Sequence, residues 1–307
     1  MTFTSMQQRT LFPMSKDRRR LDNILSQTSS TKTKLLKENE EYYDEEKDSF
    51  IIREYYKNID LETQPSEEVF QLLHDLITKT HTSKVNYNPT EYVYPWVDLQ
   101  PDGTLTSIYS GENRRAEDVI NEDYETALKR EQELEKTMAA KVHFTLEDQI
   151  IRIENDFKFN CEHVVPQSWF QRDEPMRGDI HHLFTCEPIC NSIRSNFPYH
   201  DFKSYDPEHA RANKITSGCG KTEDSRFEPE YAKGAVSRAM LYFLIRYPDE
   251  IERSYYEQID IDLLLSWNEQ FPVSVYEKHR NLAIFEIQGN RNPLIDFPIE
   301  ASSVFTS

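Results

Sequence analysis

The sequence predicts an α+β fold, and three observations carry that expectation. Several segments place apolar residues at helical spacing, most densely in the final third of the chain. Two regions, 92–111 and 160–202, hold short aromatic and β-branched stretches broken by turn residues, as strands do. Hydrophobic residues make up 37% of the 307 and aromatics 12%, enough to bury a core as one large domain or two ordinary ones.

Residues 1–50 read as an extension or linker, because SSTKTKLLKENEEYYDEEKD (29–48) is polar and then acidic with no sustained apolar face. SEEVFQLLHDLITKT (66–80) is a helix: Ser66 can cap it after Pro65, Glu67 and Glu68 suit its first turn, and Val69, Phe70, Leu73, Leu76 and Ile77 form a stripe. YVYPWVDLQPDGTLTSIYSG (92–111) alternates like extended chain around a turn at Pro101-Asp102-Gly103. VINEDYETALKREQELEKTMAAK (119–141) is charged and strongly helix-forming, which suggests a surface helix or an insertion. NCEHVVPQSWF (160–170), RGDIHHLFTC (177–186) and ICNSIRSNFPYHDF (189–202) together read as strand, turn, strand and short helix. GAVSRAMLYFLIRY (234–247) is a core helix stopped by Pro248; helices follow near Ile261–Gln270 and Val273–Ile287, with Gly289 placed as a C-cap. No chemistry is assigned to these last stripes.

Composition excludes some classes. Seven glycines against 15 prolines, with neither GxGxxG nor a P-loop, argue against glycine-rich phosphate cradles. The first residues lack the apolar stretch of a secretory leader, so a cytoplasmic protein is expected, although a chain supplied without its leader would look the same. The longest apolar run, Ala239–Ile245, is far short of a membrane span. A net charge of −18 repels polyanions at long range. Cys161, Cys186, Cys190 and Cys219 are first read as reduced, partly buried thiols, with a structural zinc site or disulfides as alternatives.

The residues that carry chemistry crowd into 160–202. Glu and Asn oxygens, as at Glu162 and Asn191, suit a hard cation such as Mg²⁺, Mn²⁺ or Ca²⁺. A histidine that is not a ligand can serve as general base near neutral pH, and His163 stands beside Glu162. Neighbours on a strand point to opposite sides, so the two can serve one phosphate only where the strand ends or twists.

At these residues the chain resembles the endonuclease I family, nucleases built on a ββα-metal or His-Me finger. EHVVPQSWF, DIHHLF, CNSIRSNFPY, FEPEYAKGAVSRAMLYFLIRY (227–247) and QGNRNPLID (288–296) occur in the family's order, with IYSG (108–111) upstream, and the resemblance covers roughly residues 66 to 297. It implies a ββα-metal core at about 158–200 inside a mostly helical domain spanning 51–300, with 301–307 a tail. It implies that Glu162 and Asn191 hold one Mg²⁺, that His163 is the general base, and that DNA, RNA or both are cut with little sequence preference to leave 5′-phosphates. An arginine commonly steadies the phosphate, and Arg172, Arg177 and Arg194 are the candidates. Asp179, His181 and His182 either pin the second strand to the first or touch substrate. Asn196 is expected to close the short helix, and Trp169 and Phe170 to lie in the core. Many relatives are exported.

The acidic balance is unusual for such an enzyme, and Lys158 to Lys203 holds six acidic and five basic residues. Two rivals stand beside the nuclease. One is a non-catalytic binder of nucleic acid or of a protein partner on the same scaffold. The other is a zinc hydrolase using Glu162, His163, His181 and His182, although HExxH is missing. Expected partners are DNA or RNA and an inhibitor protein, with no membrane; oligomeric state is left open.

Overall fold

The computed structural model describes residues 16–37, 42–139, 145–205 and 218–306, and it is a helix-rich α+β fold with small two-stranded sheets. The first helix, α1 (Arg18–Lys37), buries Leu21, Ile24 and Thr28, and α2 (Glu45–Tyr55) starts on Asp44, whose carboxylate accepts the Lys47 N–H. Asp48 on α2 is buried 2.9 Å from Arg291, which ties this early segment to the far end of the chain. In α3 (Ser66–Thr80) the stripe buries Val69, Leu73 and Ile77 as expected. Ser66 is the helix's first residue rather than its cap; Pro65 holds the cap position and supplies no side-chain bond.

The expectation of extended chain fails at Val93–Val97. These residues form a π-type turn closed by Asp98 N–H on the Val93 carbonyl at 2.9 Å. The alternation misled because Val93, Tyr94 and Val97 are all buried, which no strand with one wet face would do. Strands β1 (Thr104–Thr106) and β2 (Asn113–Arg115) pair beyond the turn. Helix α4 (Ala116–Ala139) is no loose insertion. It buries Val119, Ile120, Ala127 and Leu134, and its buried Asp123 accepts the backbone and side-chain N–H groups of Asn160 at 2.8 and 2.9 Å. That carboxyl is pushed up to about 6 by burial. Helix α5 (Leu146–Asp156) opens with a capping box between Thr145 and Asp148.

Strands β3 (Cys161–His163) and β4 (Leu183–Thr185) pair antiparallel with Glu162 opposite Phe184 and His163 opposite Leu183. The pair lies between two cores. Cys161 and Leu183 face one formed by α1, α4 and the π turn, while Val164 and Phe184 face the other. Helix α6 (Pro188–Arg194) follows with Pro188 in its first turn, and β5 (Gly220–Glu223) pairs with β6 (Arg226–Pro229).

In α7 (Lys233–Arg246) burial runs all round the helix, which marks a central element. Its fully buried Val236, Phe243 and Ile245 contribute roughly 1.5–3 kcal/mol each. Around it stand α8 (Ile261–Gln270), capped by Asp260, and α9 (Val275–Gln288), which has a Ser274/Glu277 capping box and ends on Gly289 at φ 90°. Among the described residues no helix is long and apolar enough to cross a membrane.

Candidate metal centre and nuclease site

Two neighbours on β3 look in opposite directions. Glu162 points into a polar pocket of the larger core. Its Oε1 accepts from Tyr109 OH at 2.9 Å and lies 3.3 Å from Arg194 Nε, and Tyr109 OH lies 2.8 Å from Tyr199 OH. Burial raises the Glu162 carboxyl while Arg194, Tyr109 and Lys158 oppose the rise. Arg194 is fully buried, spending its other nitrogens on the carbonyls of Val164 (2.7 Å) and Ser195 (3.1 Å), so it sits beneath the carboxylate and away from any bulky ligand.

His163 points toward the other core, against Tyr87 and His182. Its Nε2 lies 3.0 Å from the Arg177 carbonyl, so that nitrogen carries the proton and Nδ1 keeps its lone pair. Burial holds the imidazole well below its ordinary range, with the charges of His182 and Arg177 adding to the effect. The carbonyl is located by Gly178, where a Cβ would stand 2.0 Å from the Val85 carbonyl oxygen, so this loop closes only on a residue without a side chain. Arg177 itself is buried, donates to Gln167 Oε1 at 2.7 Å and lies over the Tyr87 ring. Arg172 is engaged with Glu154 at 3.2 Å on the outside of the loop.

Asn191, one turn into α6, donates its Nδ2 to the Cys161 carbonyl at 3.0 Å. That bond anchors it to the edge of β3 and leaves Oδ1 facing outward. Opposite Oδ1, at 3.3 Å, stands the ammonium of Lys158, which also lies 3.5 Å from the Asn191 carbonyl and within electrostatic reach of Glu162. A cation therefore already stands at the carboxamide oxygen, and the charge of Glu162 favours it there. The oxygen-only donor set and this stand-in charge fit a hard divalent ion.

Asp179, His181 and His182 are placed elsewhere. Asp179 Oδ2 accepts from Tyr242 (2.8 Å) and Tyr247 (3.0 Å), and its Oδ1 accepts from Gln288 (3.0 Å) and the His181 N–H (3.1 Å). Its carboxyl is held below the usual carboxylate range by the nearby imidazoles, led by His81, against the cost of burial. His181 Nε2 lies 3.3 Å from the Asn290 carbonyl and His182 Nε2 2.7 Å from that of Met176. These bonds bind the loop before β4 to α7 and to the chain after α9, not one strand to the other. Trp169 and Phe170 are buried, and Trp169 Nε1 donates to the Asn196 carbonyl at 3.2 Å.

The expectation of free, buried thiols holds for Cys161 and Cys186 and fails for Cys190 and Cys219. Cys190 and Cys219 form a disulfide across a separation of 29 residues, so they are neither free thiols nor zinc ligands, and the case for a reducing compartment loses its basis. Cys161 and Cys186 are free and buried, their thiols pushed up by desolvation. Among the described residues no group of three or more His, Cys, Asp or Glu is arranged to hold a metal. The zinc hydrolase falls with it, because His181 and His182 spend their ring nitrogens on separate carbonyls while Glu162 and His163 face apart.

Sequence reasoning missed Lys158 and Tyr109. Tyr109 lies within the IYSG segment, whose place upstream of the motif cluster was the available signal. Lys158 carries none, being one lysine before the motif. A cavity of about 910 Å³ opens elsewhere, beside Tyr231, Lys233 and Arg238, and none of the expected site residues lines it. Its buried cations are already paired, Arg238 with Glu277 at 2.7 Å and Lys233 with Glu228 at 2.6 Å.

With this geometry in place, the comparison with known families is decisive: the endonuclease I model matches residues 65–299. The chain belongs to the endonuclease I family. Every candidate residue of the β3–β4–α6 unit falls inside the matched span. Curated relatives of this endonuclease I chain include an extracellular ribonuclease of Bacillus subtilis (strain 168), 32% identical over 165 residues, covering 48% of this chain and 54% of the relative. An extracellular deoxyribonuclease of Aeromonas hydrophila is 27% identical over 126 residues (39% and 50%), and Endonuclease-1 of Buchnera aphidicola subsp. Baizongia pistaciae is 30% identical over 126 residues (40% and 47%). The chain spans about half the length of the curated relatives it matches.

Proposed function

We propose that this protein is a metal-dependent endonuclease that hydrolyses phosphodiester bonds in DNA, RNA or both, with little sequence preference, and leaves 5′-phosphate ends. The observation that carries the reading is the Asn191 oxygen on α6, turned toward a cation by the bond to the Cys161 carbonyl, with the carboxylate of Glu162 on β3 acting on the same cation in a strand whose next residue is His163. Glu162 and Asn191 would hold Mg²⁺, and the ion when bound supplies charge neutralisation at the phosphate and the departing 3′-oxygen. Tyr109 and Arg194 aim the carboxylate and oppose the rise that burial imposes on it. The bond to Cys161 keeps the Asn191 oxygen, rather than its NH₂, turned outward.

His163 takes the proton from the attacking water at Nδ1 while the Arg177 carbonyl holds Nε2–H. A neutral imidazole at physiological pH is what a proton acceptor requires, and burial keeps it neutral. Arg177 is the arginine assigned to the phosphate because it shares the loop that aims the base; Arg194 is committed to Glu162 and Arg172 to Glu154. In this reading β3, β4 and α6 are the ββα-metal core. The disulfide and the relatives named as extracellular or periplasmic both favour an oxidising compartment as the working location.

The test incubates purified protein with supercoiled plasmid, single-stranded DNA and RNA, with Mg²⁺ or with EDTA, beside His163→Ala. Cleavage is expected only with the metal, and His163→Ala should lower it by roughly 10²–10⁴ while leaving the melting transition in place. Undiminished cleavage by that variant removes the base assignment. Binding of nucleic acid without any cleavage by the parent protein moves the reading to a non-catalytic binder.

A further inference from the structure

Lys158 lies between α5 and β3, half-buried, and its side chain crosses to α6. Its two hydrogen bonds there are both to Asn191, at Oδ1 and the carbonyl, and of the charges around it that of Glu162 acts on it most, ahead of Cys186 and Arg194. The Oδ1 and carbonyl separations, 3.3 and 3.5 Å, are at the long end of the hydrogen-bond range, so each is a contact easily exchanged. A flexible four-carbon stem lets an ammonium swing away where a rigid guanidinium could not.

We propose that Lys158 is an internal competitor for the metal seat. Its ammonium holds Asn191 Oδ1 in the metal-free protein, within the field of Glu162, and withdraws when a divalent cation enters. The inference rests on the reading of Glu162 and Asn191 as ligands. Two consequences follow for the same residue. Without metal, Lys158 adds to the positive charge that Arg194 sets against the Glu162 carboxylate and keeps the Asn191 oxygen in place, so that ligand is positioned before the ion arrives. With metal, the cation must displace a bound charge, so apparent affinity falls by the fraction of molecules in which the seat is already taken. Lys158 thus sets the concentration of divalent ion at which the site loads. It is a positioning residue, acting through the ligands.

Isothermal titration of the full chain with Mn²⁺, and separately with Mg²⁺, tests this with a readout independent of cleavage. Lys158→Met keeps the length and removes the charge. If the lysine holds the seat in about nine molecules of ten, the variant should bind the ion roughly tenfold more tightly. A lysine that serves only as a structural tether predicts the reverse, weaker binding on its removal, and equal or weaker binding by Lys158→Met overturns the proposal. Lys158→Gln gives the same comparison if the methionine variant does not fold, with circular dichroism as the check. Glu162→Gln in the same titration separates the two readings. Loss of binding there with no gain in the Lys158 variants defeats the competitor alone, whereas binding unaltered by Glu162→Gln defeats the ligand assignment beneath it.

Discussion

Two clusters in this molecule each set a buried carboxylate beside basic side chains and end in opposite states. One gathers Glu162, Asn191 and Lys158 at the edge of β3; the other gathers Asp179, His81, His181 and His182 behind the loop before β4. Around Asp179 both carboxylate oxygens are spent, on two tyrosines, a glutamine and a backbone N–H. Around Glu162 the bonds stop short: Asn191 uses its NH₂ inward and presents its oxygen to a replaceable ammonium. A dense set of ionisable residues thus does not mark a reactive place by itself. The mark is a donor atom whose partner can be exchanged.

The comparison is open to attack in order of expected effect. Asp179→Ala should cost about 3–5 kcal/mol of stability, because it leaves two tyrosine hydroxyls, the Gln288 amide and the His181 N–H buried without their acceptor. Chemical denaturation measures this, and the fraction that remains folded should cleave at the parent rate. An intact fold with no cleavage would move Asp179 into the reactive site and erase the contrast. Asn191→Ala should do the opposite, lowering cleavage roughly a hundredfold with little change in the denaturation midpoint. A large loss of stability without loss of rate would make Asn191 a mere strut.

A third expectation concerns acid. His181 is held at about 4 by burial, opposed by the Asp179 charge, against an ordinary value near 6.5. A depressed imidazole is neutral in the fold and binds its proton more readily when unfolded, so its contribution is complete above pH 6.5 and fades as pH falls toward 4. Going from pH 7 to 5 should remove about 2 kcal/mol through His181. Asp179, also depressed, continues the loss at still lower pH. His181→Gln should flatten the stability profile between pH 7 and 5; an unchanged slope would mean that the acid response arises elsewhere.

Much of this was legible in the sequence, and what was not has identifiable causes. The helices at 66–80, 234–247 and 261–270 were readable because apolar spacing and capping residues agree with their burial. The strand, turn, strand and short helix around Glu162 and Asn191 could be read because the motif is contiguous. Val93–Val97 misled because inward-facing aromatic and branched residues look alike in a strand and in a tight turn. Helix α4 read as a surface element because Asp123, one of its acidic residues, is in fact a buried anchor for Asn160. Cys190 and Cys219 could not be paired from spacing, and Lys158 could not be singled out, because both depend on contacts about thirty residues apart.

The absence of a side chain at Gly178 reaches further than its own turn. The chain near Val85 passes so close that it fixes where the Arg177 carbonyl stands, and that carbonyl sets the direction of the imidazole. The direction in which the His163 Nδ1 lone pair points is therefore inherited from a remote crossing of the backbone. Variation around Val85 would turn that nitrogen without altering Glu162, His163 or Asn191.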